Sequence, residues 1–145
     1  MSSALALDHR PGRLSPLRKL RLGAEALAAY ARVRRALRGS DLPTAVGRLR
    51  GQAAPPQRPP DDRAYAAGLR LARASSRTIT LLPTDSRCLM RSLVLTAMLA
   101  RRDVAGTVVI GVSPGEEFGA HAWVELGGRP LLPPDEATYG RLVEL

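Results

Sequence analysis

The first apolar pattern in the chain has the spacing of a helix. Between residues 14 and 37, apolar side chains fit the helical spacing of three, four and seven, as on one helix face. They are Leu17, Leu20, Ala24, Leu27, Ala31 and Leu37. Ser15 suits the N-cap, Pro16 the first helical position and Gly39 the stop. These features predict an amphipathic helix with arginines on its outer face.

Two further helices are predicted downstream. Residues 39–63 carry five prolines and three glycines, which predicts a loop with one short helical turn around 44–49. A second long helix follows, capped by Asp61 or Asp62 and ended by Pro83. The next helix has Asp85 or Ser86 as its N-cap and is apolar on most sides, which predicts that it lies in the core.

After Gly106 the pattern becomes extended. Residues 107–112, "TVVIGV", predict a buried strand, and residues 120–126, "AHAWVEL", predict a second. Gly127–Gly128 then predicts a hairpin into "RPLL". Helices followed by a small antiparallel sheet indicate the α+β class, with the central helix packed on that sheet.

Composition and charge restrict the class of protein. A chain of 145 residues can bury one compact core. Its net charge of +9 favours acidic partners. We expect no nucleic-acid binding, because aromatic residues make up only 3% of the chain and no zinc or helix-turn-helix spacing occurs. No apolar run is long enough for a membrane span.

A single cysteine, Cys88, lies where a polar loop meets the apolar helix. It cannot form an internal disulfide or a metal site of linked thiolates, so we expect a reducing, cytoplasmic compartment, no metal and no cofactor. The start of a helix favours a thiolate, and a backbone N–H there could stabilise an oxyanion. Cys88 is therefore a candidate nucleophile, the alternative being an inert buried thiol.

A cysteine nucleophile needs a base, and His121 is the only serious candidate, since the other histidine, His9, lies in the N-terminal tail. Strand alternation puts His121 on one face with Trp123 and Glu125. Asp135 is the candidate third member that would orient the imidazole, with Glu136 and Glu125 as alternatives.

Residues 88–131 resemble a known family. "CLMRSLVLTAMLARRDV", "VVIGV" and "FGAHAWVELGGRPL" look like the transglutaminase-like leader peptidases of lasso peptide biosynthesis, a papain-like group of cysteine proteases. The resemblance implies a Cys-His-Asp triad of Cys88, His121 and Asp135, although in many members the Asp would fall at Pro133.

The resemblance also implies a function. It describes a bacterial cysteine protease that cuts the leader from a ribosomally made precursor (a RiPP) through a thioester. Expected partners are the precursor peptide, a separate leader-recognition protein and an ATP-dependent lasso cyclase. We expect residues 1–60 to form a tail, the amphipathic helix and a Pro-rich loop, and residues 61–145 to form the peptidase core, within one folded unit.

Two residues near the candidate site suit substrate contacts, and two other functions fit the same residues. Trp123 could wall the site, and Arg91, one turn beyond Cys88, could contact an acidic peptide; either could instead be structural. One alternative function is an acyltransferase of the same fold. Another is a basic binding module in which Cys88 and His121 belong to the core.

Overall fold

A computed structural model describes residues 13–84, 87–113, 119–132 and 140–145. The helices are α1 (Pro16–Leu37), α2 (Leu42–Arg50), α3 (Asp62–Thr80) and α4 (Arg87–Ala100). The strands are β1 (Thr107–Ser113), β2 (Gly119–Leu126), β3 (Arg129–Pro130) and β4 (Gly140–Glu144). All strand pairs are antiparallel, in the order β3-β2-β1-β4. The α+β prediction is confirmed.

Side chains cap the first three helices. The Ser15 hydroxyl accepts a hydrogen bond from the Arg18 amide (3.3 Å), which confirms the predicted start of α1. Asp61 caps α3 in the same way. The N-cap predicted at Asp85 or Ser86 lies outside the described residues.

Helix α2 is longer than the sequence suggested. The single turn predicted around 44–49 is a nine-residue helix. Asp41 starts it by accepting from the Thr44 amide (2.9 Å), and Pro43 is tolerated because it lies in the first turn, where the N–H would have no helical partner.

The apolar stripe predicted for α1 is not its packed face. The residues of α1 that enter the core are Ala26, Ala29, Val33 and Ala36. Three leucines of the predicted stripe, Leu17, Leu20 and Leu27, are exposed. Small alanine side chains let α1 approach α3 and α4 closely, so tertiary packing outweighs the leucine periodicity.

Helix α4 is the centre of the core, as predicted. Every residue from Ser92 to Leu99 is buried, and α4 packs against the three other helices and against β1 and β2. The buried hydroxyls are satisfied within the helix: Ser92 Oγ donates to the Cys88 carbonyl and Thr96 Oγ1 to the Ser92 carbonyl, each at 2.8 Å. None of the described helices combines the length and the apolarity of a bilayer-spanning segment.

The predicted hairpin between β2 and β3 is present. Gly127 and Gly128 have φ angles of +56° and +84°, which glycine adopts without strain. Strand β4 was not predicted from the sequence. It pairs with β1 at the opposite edge, where Arg50 donates to the carbonyl oxygens of Gly106 and Leu145, both at 2.7 Å.

Candidate functional site

Cys88 is the second residue of α4. Its side chain is a free thiol and is partly exposed. The first four amides of an α-helix have no partner within the helix, so backbone N–H groups are available around the thiol. The hydrogen bond from Ser92 to the Cys88 carbonyl secures this first turn. The predicted position of the cysteine at the helix N-terminus is confirmed.

His121 lies near the start of β2 and is partly exposed. Its partner across the β1–β2 ladder is Gly111, which has no side chain to crowd the imidazole. Beside it, the indole of Trp123 stacks on the imidazole, with ring centroids 6.2 Å apart and planes inclined by 22°.

The two faces of β2 have different neighbours. Val124 and Leu126 belong to the core built with the helices. Alternation therefore places His121, Trp123 and Glu125 on the other face, as the sequence predicted.

A buried carboxylate anchors this second face. Glu125 Oε1 accepts a hydrogen bond from Trp123 Nε1 (3.1 Å) and another from Arg141 Nη2 (2.5 Å). Arg141 also donates to Glu144 at 2.6 Å, and the two carboxylates raise the pKa of its guanidinium above the usual value, with Glu144 contributing most. Side-chain contacts thus lead from His121 through Trp123 and Glu125 on β2 to Arg141 on β4.

The C-terminal parts of α4 and β2 meet at one point, Gly106. Leu99 of α4 and Val124 of β2 both approach this glycine. Cys88 precedes Leu99 by eleven residues, about 17 Å of helix. His121 precedes Val124 by three residues, about 10 Å of strand. Because α4 packs on β2, we infer that the two elements run in the same direction toward that meeting point, which would bring Cys88 and His121 toward the same end.

The remaining predicted residues divide into two groups. Arg91 lies on α4, one turn beyond Cys88, and is partly buried, whereas Trp123 is buried beside His121. Asp135 and the alternative Glu136 lie outside the described residues. A direct contact between Cys88 and His121, and the roles of Asp135, Arg91 and Trp123, stay predictions.

The structure assigns Glu125 to a supporting contact rather than to the imidazole. It is four residues from His121 on a continuous strand, about 13 Å away along the backbone, with Trp123 between them. Its Oε1 holds Trp123 and Arg141 instead. Strand alternation could have paired Glu125 with Trp123, but Arg141 lies on the strand that the sequence did not reveal. No group of three or more His, Cys, Asp or Glu side chains that could hold a metal occurs among the described residues.

Comparison with protein families settles the class of domain. A family model described as the transglutaminase-like superfamily matches residues 26–144. The chain belongs to the transglutaminase-like superfamily. Searches of curated proteins and of solved structures each found no significant match.

The transglutaminase-like superfamily generally includes cysteine peptidases and acyltransferases. The matched range contains Cys88, His121 and Asp135, and it begins within α1. The helices and the four-stranded antiparallel sheet agree with a transglutaminase-like core. This places the chain in a fold that supports thioester chemistry at a cysteine.

Proposed function

We propose that this protein is a cysteine peptidase that removes the leader from a lasso peptide precursor. The observation that supports it most is the placement of Cys88 at the start of α4 and of His121 on β2, the strand that α4 packs against, within a transglutaminase-like domain. The sequence resemblance to lasso leader peptidases supplies the substrate class. A thiol enzyme of this kind acts in a reducing compartment, which for this chain we take to be the cytoplasm.

The proposed reaction has two steps through one thioester. The Cys88 thiolate attacks the carbonyl at the leader–core junction, and an amide N–H at the start of α4 stabilises the oxyanion. His121, having taken the thiol proton, gives it to the leaving amine of the core. Water activated by His121 then hydrolyses the thioester and frees Cys88. Asp135 would hold the imidazole in the useful tautomer.

The face positions constrain this proposal. Because Val124 faces the helical core, His121 faces away from it. The thiol must therefore meet the imidazole at the end of the sheet rather than across the core. Gly111 beside His121 and the partial exposure of both reacting side chains are compatible with that approach.

The proposal assigns supporting roles to four residues. Trp123 is buried and stacked on His121, and the Glu125–Arg141 contact fixes its indole, so this group positions the base. Arg91 would contact the peptide near Cys88. The leader would be presented by a separate recognition protein, and the released core would pass to an ATP-dependent cyclase.

Mass spectrometry of a lasso-type precursor tests the proposal. The precursor is incubated with the protein and a leader-recognition protein, in parallel with the Cys88→Ala variant. We expect one cut at the leader–core junction, with a leader product that carries one added water, and no cut with Cys88→Ala.

Two other results would contradict the proposal. A leader joined to an added amine, still dependent on Cys88, would identify an acyltransferase. An uncut precursor in the presence of folded protein and its partner would indicate a binding module.

A further inference from the structure

Four leucines are exposed on one side of the molecule. Leu17, Leu20 and Leu27 of α1 are 60%, 72% and 50% exposed, and Leu81, just after α3, is 85% exposed. Scattered exposed leucines are common, but Leu20, Leu27 and Leu81 line one concave surface, and contiguous exposed apolar surface marks interaction sites.

That surface has an apolar lobe and a basic lobe. The apolar lobe is a groove of about 590 Å³ between α1 and the end of α3, lined by Pro16, Lys19, Leu20, Gly23, Ala24, Leu27, Thr78, Leu81 and Leu82. The basic lobe, of about 430 Å³, shares Lys19, Gly23, Thr78 and Leu81 with it. No acidic side chain is among the described residues that line the basic lobe, and four arginines complete it: Arg13, Arg70, Arg73 and Arg77. We call the two lobes together the α1 groove.

Much of the α1 groove lies outside the shared domain. The superfamily match begins at residue 26, whereas α1 begins at Pro16. The first turns of α1, which form one wall of both lobes, are therefore an addition to the matched region. Of their leucines, Leu22 packs against the core, whereas Leu17 and Leu20 are exposed, so the packing of the fold does not account for those two.

We propose that the α1 groove binds an acidic amphipathic helix of a partner protein. Apolar side chains on one face of that helix would fill the lobe at Leu20 and Leu27, and its carboxylates would pair with the cations at Arg73 and Arg77. Helix-in-groove recognition combines these two elements. This proposal is independent of the catalytic one.

Two other occupants fit less well. A second copy of this chain would bring its own net charge of +9 against a basic lobe, which opposes self-association. A bilayer is a broad surface, and a groove between two helices presents its apolar lining in a concavity that such a surface does not enter.

A binding assay with designed helices tests the charge and the pattern. The probe is a fluorescein-labelled helical peptide with leucine at positions i, i+3, i+4 and i+7 and glutamate elsewhere. Two comparison peptides have lysine in place of glutamate, or the same composition in scrambled order. We expect anisotropy to report binding of the acidic amphipathic peptide alone, weakening as salt rises.

A steric variant places this binding in the groove. Gly23 lines both lobes, and a Cβ added there meets nothing within 4 Å, so the side chain of Gly23→Leu starts in open space and takes up groove volume. Gly47→Leu is the matched control, since Gly47 is also a helical glycine with open space around it. We expect Gly23→Leu to weaken the affinity for the acidic peptide by about tenfold or more, and Gly47→Leu to leave that affinity unchanged. Circular dichroism confirms that both variants fold.

A charge variant tests the basic lobe. Arg73→Glu reverses a lining charge, and Arg63→Glu makes the same change on α3 away from the groove. We expect only Arg73→Glu to reduce affinity, again by about tenfold.

Four results would overturn the proposal. These are equal binding of the three peptides, no effect of Gly23→Leu, a dimer in light scattering that Gly23→Leu disrupts, and binding to phosphatidylglycerol vesicles that Gly23→Leu abolishes. The third would assign the groove to a second copy and the fourth to a membrane.

Discussion

The indole of Trp123 stacks on the imidazole of His121 and donates its N–H to Glu125, so one buried carboxylate fixes the ring beside the proposed base. This relationship explains the order of residues in the segment "HAWVE", 121–125, by the contacts that they make. Its polar and aromatic members share one face, while Val124 faces the helical core.

Removing the buried acceptor should destabilise the protein and loosen the indole. Glu125→Leu leaves the Trp123 N–H buried without its carboxylate, at a cost of about 1–3 kcal/mol in the free energy of unfolding. Urea unfolding measures that cost, and the emission of Trp123, the only tryptophan, should shift to the red.

The matched control for this variant is Glu144→Leu. Glu144 accepts a hydrogen bond from Arg141 at an exposed position, whereas the Trp123 N–H donates to Glu125. Its replacement should change the free energy of unfolding by less than about 0.5 kcal/mol. Equal effects of the two variants would mean that Glu125 does not anchor the indole.

The Glu25–Arg102 pair should make stability depend on pH. Two hydrogen bonds from Arg102, of 2.6 and 3.0 Å, hold the pKa of the Glu25 carboxyl below its ordinary value of 4.5, against the opposing effect of burial. Because the folded pKa is the lower one, the pair stabilises the fold above pH 4.5. That contribution is lost as the pH falls below 4.5 toward the folded pKa.

The difference in unfolding free energy between the native chain and Glu25→Gln should therefore shrink below pH 4.5. Urea unfolding over a pH series measures it. Asp62→Asn serves as the control, because Asp62 is fully exposed. A difference that stays constant through acid would show that Glu25 is not stabilised as a carboxylate.

Gly106 should tolerate no side chain. A Cβ at this position would lie 2.8 Å from Val124 Cγ1 and 2.9 Å from Leu99 Cδ1, both in buried side chains. Gly106→Ala should therefore lower the free energy of unfolding by about 1–3 kcal/mol. Gly39→Ala, which meets nothing within 4 Å, should be neutral or slightly stabilising. A neutral Gly106→Ala would mean that the α4–β2 contact is looser than described.

Asp135 should be required for turnover if it orients His121. Asp135→Asn is expected to lower kcat for precursor cleavage by about 10²–10⁴-fold, because the imidazole would lose its orienting carboxylate. Glu136→Gln is the matched control, one residue away. If only Glu136→Gln abolished cleavage, Glu136 would be the carboxylate that orients His121. If both variants kept full activity, a two-residue Cys-His site would be favoured.

Local signals in the sequence predicted much of this fold. Ser15 and Asp61 correctly predicted helix starts, and Gly127–Gly128 correctly predicted the hairpin, because each acts through a few adjacent residues. The N-terminal position of Cys88 and the face of His121 followed from the helix start and the strand period.

The features that the sequence did not reveal depend on tertiary packing. The packed face of α1 is set by where alanines meet α3 and α4, so its leucine stripe gave the wrong face. Strand β4 forms because β1 offers it an edge, and Arg141 reaches Glu125 only through that pairing. Neither follows from the periodicity of a single segment.

The most direct test of the account is the alkylation rate of the single thiol by iodoacetamide near neutral pH, followed by mass spectrometry. Every thiol adduct must lie on Cys88, which fragment masses confirm, and the chain has two histidines, so His9→Ala is a matched control for His121→Ala. If His121 takes the thiol proton, His121→Ala should slow alkylation by about tenfold or more, while His9→Ala should not change it. Equal rates in the native chain and His121→Ala would contradict the proposed pairing of Cys88 and His121.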